Sequence, residues 1–150
     1  QSRVATPCVG LCSTTFGDSV CRGCKRFAHE IVDWNRYDEH QKAMVINRLT
    51  QIVESIVPRY MVVTDPDRLQ DSLKKFGFRF RFDQSPQCWA YDLFRQTKGR
   101  IDSLKDVGLM RNQKGLALDH RAMWNAMSSE FLALSEGHYE IFFKQPLSFD

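Results

Sequence analysis

No stretch of this sequence approaches the ~20 consecutive apolar residues that a membrane-crossing helix requires. Residues 1–15 also lack the charged start and apolar block of a secretory signal. Neither a membrane span nor export is therefore expected. Internal repeats and low-complexity tracts are missing too, which removes solenoids and disordered linkers from consideration. The sequence has no glycine-rich phosphate loop, no Gly-x-Ser-x-Gly elbow and no carboxylate pair beside a histidine, so no catalytic centre is legible. The one near-match, His29-Glu30, fails as a zinc-protease helix because Asp33 stands where the second histidine belongs. Charge of one sign is scarce as well. The net charge is +3, and from residue 61 onward 13 Lys and Arg face 12 Asp and Glu, leaving little basic excess to drive phosphate binding.

What the sequence does have is thiols, concentrated in its first twenty-four residues. Four of the five cysteines fall at Cys8, Cys12, Cys21 and Cys24, spaced as Cys-x3-Cys, an eight-residue loop and Cys-x2-Cys. Without an export signal, such a cluster reads as one metal site rather than two disulfides, and it places the chain in a reducing cytoplasm. Gly17-Asp18 is a turn dipeptide that lets the loop double back, and Gly23 frees the backbone between Cys21 and Cys24. Four thiolates must be neutralised. A divalent zinc ion and a dicationic four-iron cluster do this equally well, each leaving a net charge of about minus two. Charge does not separate them, and the base rate for compact four-thiolate sites favours zinc. Arg22, Lys25 and Arg26 sit where they can offset the remaining negative charge. His29 is a conceivable alternative ligand, although a histidine in the first turns of a helix is ordinarily solvated.

The run Thr6-Pro7-Cys8-Val9-Gly10-Leu11-Cys12, then Cys21-Arg22-Gly23-Cys24-Lys25-Arg26, then Glu30-Ile31 and Trp34, resembles the small bacterial family called domain of unknown function 1289. The resemblance covers roughly residues 6–57. Members of that family are often described as predicted iron-sulfur proteins, so the resemblance implies a [4Fe-4S] cluster at the four cysteines and no defined activity.

Phe27, Ile31 and Trp34 recur at i, i+4 and i+7, which predicts a short helix with one apolar stripe. Asp38 and Gln41 form the pattern of a capping box. Val45, Leu49, Ile52, Val53 and Ile56 follow it at helical spacing, up to Pro58. Residues 1–58 are thus a four-cysteine knuckle with two helices, and 59–150 a separate mixed region. In the latter, Tyr60–Thr64 reads as a strand. Asp65-Pro66 opens a helix with Leu69, Leu73 and Phe76 at helical intervals, ended by Gly77, and Phe78-Arg79-Phe80-Arg81-Phe82 alternates like a second strand.

Ser85-Pro86 starts a helix carrying Trp89, Leu93 and Phe94 to Gly99, with Cys88 as a small buried apolar residue. A short helix is expected around Ile101–Val107 and turns at Asn112–Gly115. Asp119 caps a helix whose Met123, Met127, Phe131 and Leu134 form a stripe ending at Gly137. Tyr139–Phe143 reads as a final strand and Pro146 opens a tail. His120 and His138 sit near helix ends. The fold class is α+β, with 43% apolar residues providing ample core.

The sequence supports a metal-binding accessory that carries an iron-sulfur cluster for electron transfer or sensing. A structural zinc module that binds an unknown protein partner is the alternative. A nucleic-acid-binding accessory is the third reading, using Arg22, Lys25 and Arg26 with Arg79 and Arg81. It is weak: Phe76, Arg79 and Asp83 all depart from the RRM signature, and alternation would put the arginines on a merely solvated face.

Overall fold

The computed structural model describes residues 4–10 and 12–144, the last two by backbone alone. Helices dominate, and a small antiparallel sheet makes the fold α+β. The helices are α1 (Ala28–Asp33), α2 (Glu39–Ile56), α3 (Pro66–Lys75), α4 (Pro86–Thr97) and α5 (His120–Tyr139); the strands are β1 (Met61–Val63) and β2 (Leu109–Arg111). Among the described residues no helix is long and apolar enough to cross a membrane.

Two compact units emerge, one of residues Gln1–Leu49 with Phe131–Asp150, the other of Thr50–Glu130. They partition the chain on a different basis from the 1–58 and 59–150 division, which concerned where the cysteine knuckle and its helices end.

In the first unit, α2 begins as its sequence dictates. Asp38 N–H donates to Gln41 Oε1 (2.9 Å) and Gln41 N–H donates to Asp38 Oδ1 (2.7 Å), so both donors are satisfied reciprocally. Phe27, Trp34, Val45 and Leu49 are buried. Phe27 meets Tyr139 edge-on at 5.5 Å between ring centroids. Helix α5 runs through Gly137 to Tyr139, and Glu140–Lys144 continues as a wider π turn. The expected strand over Tyr139–Phe143 is therefore helical. Continuing the coil satisfies backbone groups locally, whereas a strand needs a partner edge. Leu134 lies toward the surface rather than in the stripe's buried part. The tail from Pro146 lies outside the described residues.

In the second unit, β1 pairs antiparallel with β2, Met61 opposite Arg111 and Val63 opposite Leu109. This replaces the expected β-α-β, because residues 78–82 are irregular and form no strand. Between Ile101 and Val107 only a single 3-10 turn forms, at Lys105–Val107. Ile56, Tyr60, Leu69, Leu73, Leu93, Phe94, Met123 and Met127 fill the core. Gly108 has φ +76°, and a Cβ there would overlap the Asp65 carbonyl, so glycine is what lets β2 start beside the cap of α3. That cap is Asp65, whose Oδ1 accepts from Arg68 N–H at 3.1 Å, and Asp119 Oδ1 does the same for Ala122 N–H at 2.8 Å. Phe76 is on the surface, not in the core.

Candidate metal centre

The knuckle is a tight hairpin. Val20 and Phe27 bridge, Cys21 N–H donates to Arg26 O (2.9 Å), Ala28 N–H donates to Ser19 O (2.8 Å) and Lys25 N–H donates to Cys21 O (2.8 Å). Closing so short a turn requires a left-handed residue, and Lys25 takes that role at φ +66°. A non-glycine residue resists this conformation. Here the lysine's own ammonium holds it, donating to the carbonyls of Arg22 and Gly23 and lying 5.5 Å over the Phe131 ring.

The turn points its amides inward. Backbone N–H groups of Ser13, Gly23 and Cys24, together with the Cys24 thiol, donate to Cys21 Sγ. Burial is the largest single influence on Cys21 and pushes its pKa up, but these donors together outweigh it and hold the thiol down to about 7. Cys24 behaves oppositely. Burial raises its pKa, and Arg26, whose Nε lies 3.3 Å from Cys24 Sγ, only partly offsets that. The two neighbouring thiols are thus set apart, Cys21 the more readily ionised and Cys24 the less, with a cation already beside the second sulfur.

The first cysteine pair is held more loosely. Both residues are half-buried; Gly10 N–H donates to Cys8 Sγ at 3.4 Å, and Cys12 Sγ shares a hydrogen bond with Thr14 Oγ1 at 2.8 Å. Ser13 joins this arm to the knuckle, because its amide reaches Cys21 Sγ while its hydroxyl accepts from Arg22 N–H at 2.8 Å. So Cys21 and Cys24 are side by side, and the residue after Cys12 belongs to their hydrogen-bond cage. Among the described residues no three candidate ligands stand together in a group able to hold an ion. His29 lies against Phe27, its ring centroid 5.8 Å away. Cys88, in the second unit, is buried and its thiol is pushed up to about 11 by that burial, which keeps it a neutral, small apolar group.

Two residues of the Glu-Ile-x-x-Trp run support the hairpin from below. Phe27 has no side-chain acceptor to cap α1, but Glu30 Oε1 accepts Phe27 N–H at 2.8 Å. The buried Glu30 carboxylate is gripped by both terminal nitrogens of Arg48, at 2.6 and 2.7 Å, and the guanidinium stacks 4.1 Å from the Phe27 ring. Trp34 carries Arg26 over its face at 4.9 Å, so the indole positions the cation that serves Cys24. Arg48 was not legible as a site residue. The available signal was a charged side chain between Val45 and Ile52 on an otherwise apolar stripe. Lys25 and Arg26 are 2% and 3% exposed, so they belong to the knuckle's interior, and only Arg22 stays outside, paired with Asp18.

This architecture defines a class: an α+β protein in which Cys21 and Cys24 are set in an amide-lined hairpin. Residues 6–52 match the model of the family described as protein of unknown function (DUF1289), which shows the resemblance read from the cysteines and the Glu-Ile-x-x-Trp run. Comparison with curated proteins and with solved structures gave no match.

Proposed function

We propose that this is a metal-binding accessory protein that holds an iron-sulfur cluster through Cys8, Cys12, Cys21 and Cys24 and serves electron transfer or sensing in a reducing cytoplasm. The observation that carries the proposal is the cage around Cys21: three backbone amides and a neighbouring thiol converge on one sulfur, while Arg26 stands at the next. A thiol in a merely structural role needs no such array. A thiolate ligand does, because the donors offset the negative charge that four sulfurs bring to one centre. The donor set is soft and fits iron-sulfur or zinc, and the family resemblance favours the cluster.

A second reading, one zinc ion as a structural strut for an unidentified protein partner, is favoured by a specific contact. Two thiolates on one tetrahedral ion with Zn–S of ~2.3 Å lie roughly 3.8 Å apart, and Cys21 and Cys24 are close enough to share a hydrogen bond. Cysteines on separate irons of a cluster stand wider apart.

Metal and acid-labile sulfide analysis of protein purified without oxygen tests both. Iron and sulfide in near-equal amounts, with absorption around ~400 nm lost in Cys21→Ser, is the expected result. Stoichiometric zinc without sulfide moves the assignment to the strut, and neither metal in reduced protein overturns the site.

A further inference from the structure

The loop between α3 and α4 is the most unusual surface of the second unit. It leaves α3 through a paired closure, Gly77 N–H donating to Lys74 O (3.1 Å) and Phe78 N–H to Leu73 O (2.9 Å), with Gly77 left-handed at φ +69°. Four phenylalanines follow at alternate positions, yet they do not form the buried face that alternation predicts. Phe76 and Phe82 are 56% and 65% exposed.

The loop is nevertheless rigidly held. The Gln96 side chain accepts from Arg79 N–H (2.8 Å) and donates to Arg79 O (2.7 Å), replacing the two bonds a partner strand would give, and Trp89 Nε1–H donates to Arg81 O (2.8 Å). Rings pair along it: Phe76 with Phe78 at 5.6 Å, Phe80 with Phe82 at 4.9 Å, and Phe80 with Trp89 at 6.0 Å.

Cations are interleaved with these rings. Lys74 lies 5.1 Å over Phe82, and Lys75, Arg79 and Arg81 complete four positive charges over residues 74–82, a span with no acidic residue. Asp83 follows and takes one of them, pairing with Arg81 at 3.4 Å. The charge of the whole chain is placed the same way. Residues 50–130 contain 13 Lys and Arg against 10 Asp and Glu, so the entire +3 belongs to this unit and the first unit is neutral.

We propose that the loop of residues 74–82 is a stacking platform for single-stranded nucleic acid, with Phe76 and Phe82 receiving bases and Lys74, Lys75 and Arg79 meeting the phosphates. A single strand alternates flat bases with anionic groups, and this loop alternates rings with cations on a backbone already fixed in place, which lowers the ordering cost of binding. An anionic lipid surface would also attract these cations but offers the rings no flat partners in register with the charges, so it is the competing outcome of the test. The proposal uses no cysteine and stands or falls apart from the metal centre.

The test is fluorescence anisotropy of labelled oligo-dT and oligo-U with the full chain as purified. Binding should appear at low salt and weaken with a log–log salt slope of magnitude about 2, for three phosphate contacts to a single strand. Phe76→Ala with Phe82→Ala should weaken it at least tenfold with little change in slope, and Lys74→Gln with Arg79→Gln should flatten the slope. Both pairs are on the surface, so circular dichroism should be unchanged. Absence of binding at about 50 mM salt, or binding indifferent to both pairs, overturns the proposal. So does binding to anionic phosphatidylserine vesicles that depends on these residues while oligonucleotides are ignored.

Discussion

The two units use charge in opposite ways. In the first, ionised side chains are turned inward: Glu30 is buried against Arg48, Arg26 against Trp34 and Cys24, and Lys25 against its own turn. In the second, aliphatic and aromatic residues fill the interior and the basic excess is displayed outside. In the first unit hydrogen-bonded charge shares with the apolar residues the work of fixing a unique shape. The second unit has a conventional core, and its ion pairs lie toward the surface rather than inside it.

The sharpest way to break this contrast is Arg48→Met. It leaves the Glu30 carboxylate buried without its partner, and a half-removed buried pair costs about 3–5 kcal/mol. Hydrogen exchange should show protection lost around residues 20–34, while amides of α3 and α4 stay protected. Equal loss in both units would show that the two are one cooperative body.

A smaller effect belongs to the second unit. Asp92 is half-buried on α4, 3.6 Å from Arg95, and its carboxyl is pushed up to about 6 because desolvation outweighs the pull of Arg95. A carboxyl raised in the folded state stabilises the fold fully below its ordinary value near 4 and loses that contribution as pH rises through 6. Asp92→Asn should therefore gain on the native protein between pH 4 and pH 7, by roughly 3 kcal/mol, in urea denaturation at the two pH values. A constant difference would refute the assignment. Smallest of all, Gly77→Ala should cost about 1 kcal/mol through its left-handed backbone. No neighbour stands where the new methyl group would go, and thermal unfolding should register a shift without loss of fold.

Much of the fold was legible because helix starts are written locally. Asp38 with Gln41, Asp65 before Pro66, Ser85 before Pro86 and Asp119 each announce a helix within four residues, and each helix begins there. Strands were harder, since alternation describes only half of one. At residues 78–82 the pattern is present and the partner edge is not; Gln96, far along the chain, takes that place. The true partner of β1 is three residues long and carries no period to detect.

Around the candidate centre, the turn at Gly17 was legible as a glycine, whereas the left-handed residue that closes the knuckle is Lys25 rather than the expected Gly23. The supports were not legible, because Glu30 and Arg48 meet across 18 positions and Ser13 acts largely through its amide, which no side-chain pattern reveals.

The first unit is assembled from both ends of the described chain, with Phe131 and Tyr139 covering Lys25 and Phe27. On a ribosome the knuckle therefore emerges long before the rings that cover Lys25 and Phe27. At ~5–20 residues per second, the roughly one hundred residues between them take on the order of ten seconds to synthesise. During that interval Lys25 and Phe27 lack the rings that cover them in the folded chain, so the knuckle completes its packing only after most of the chain has been made.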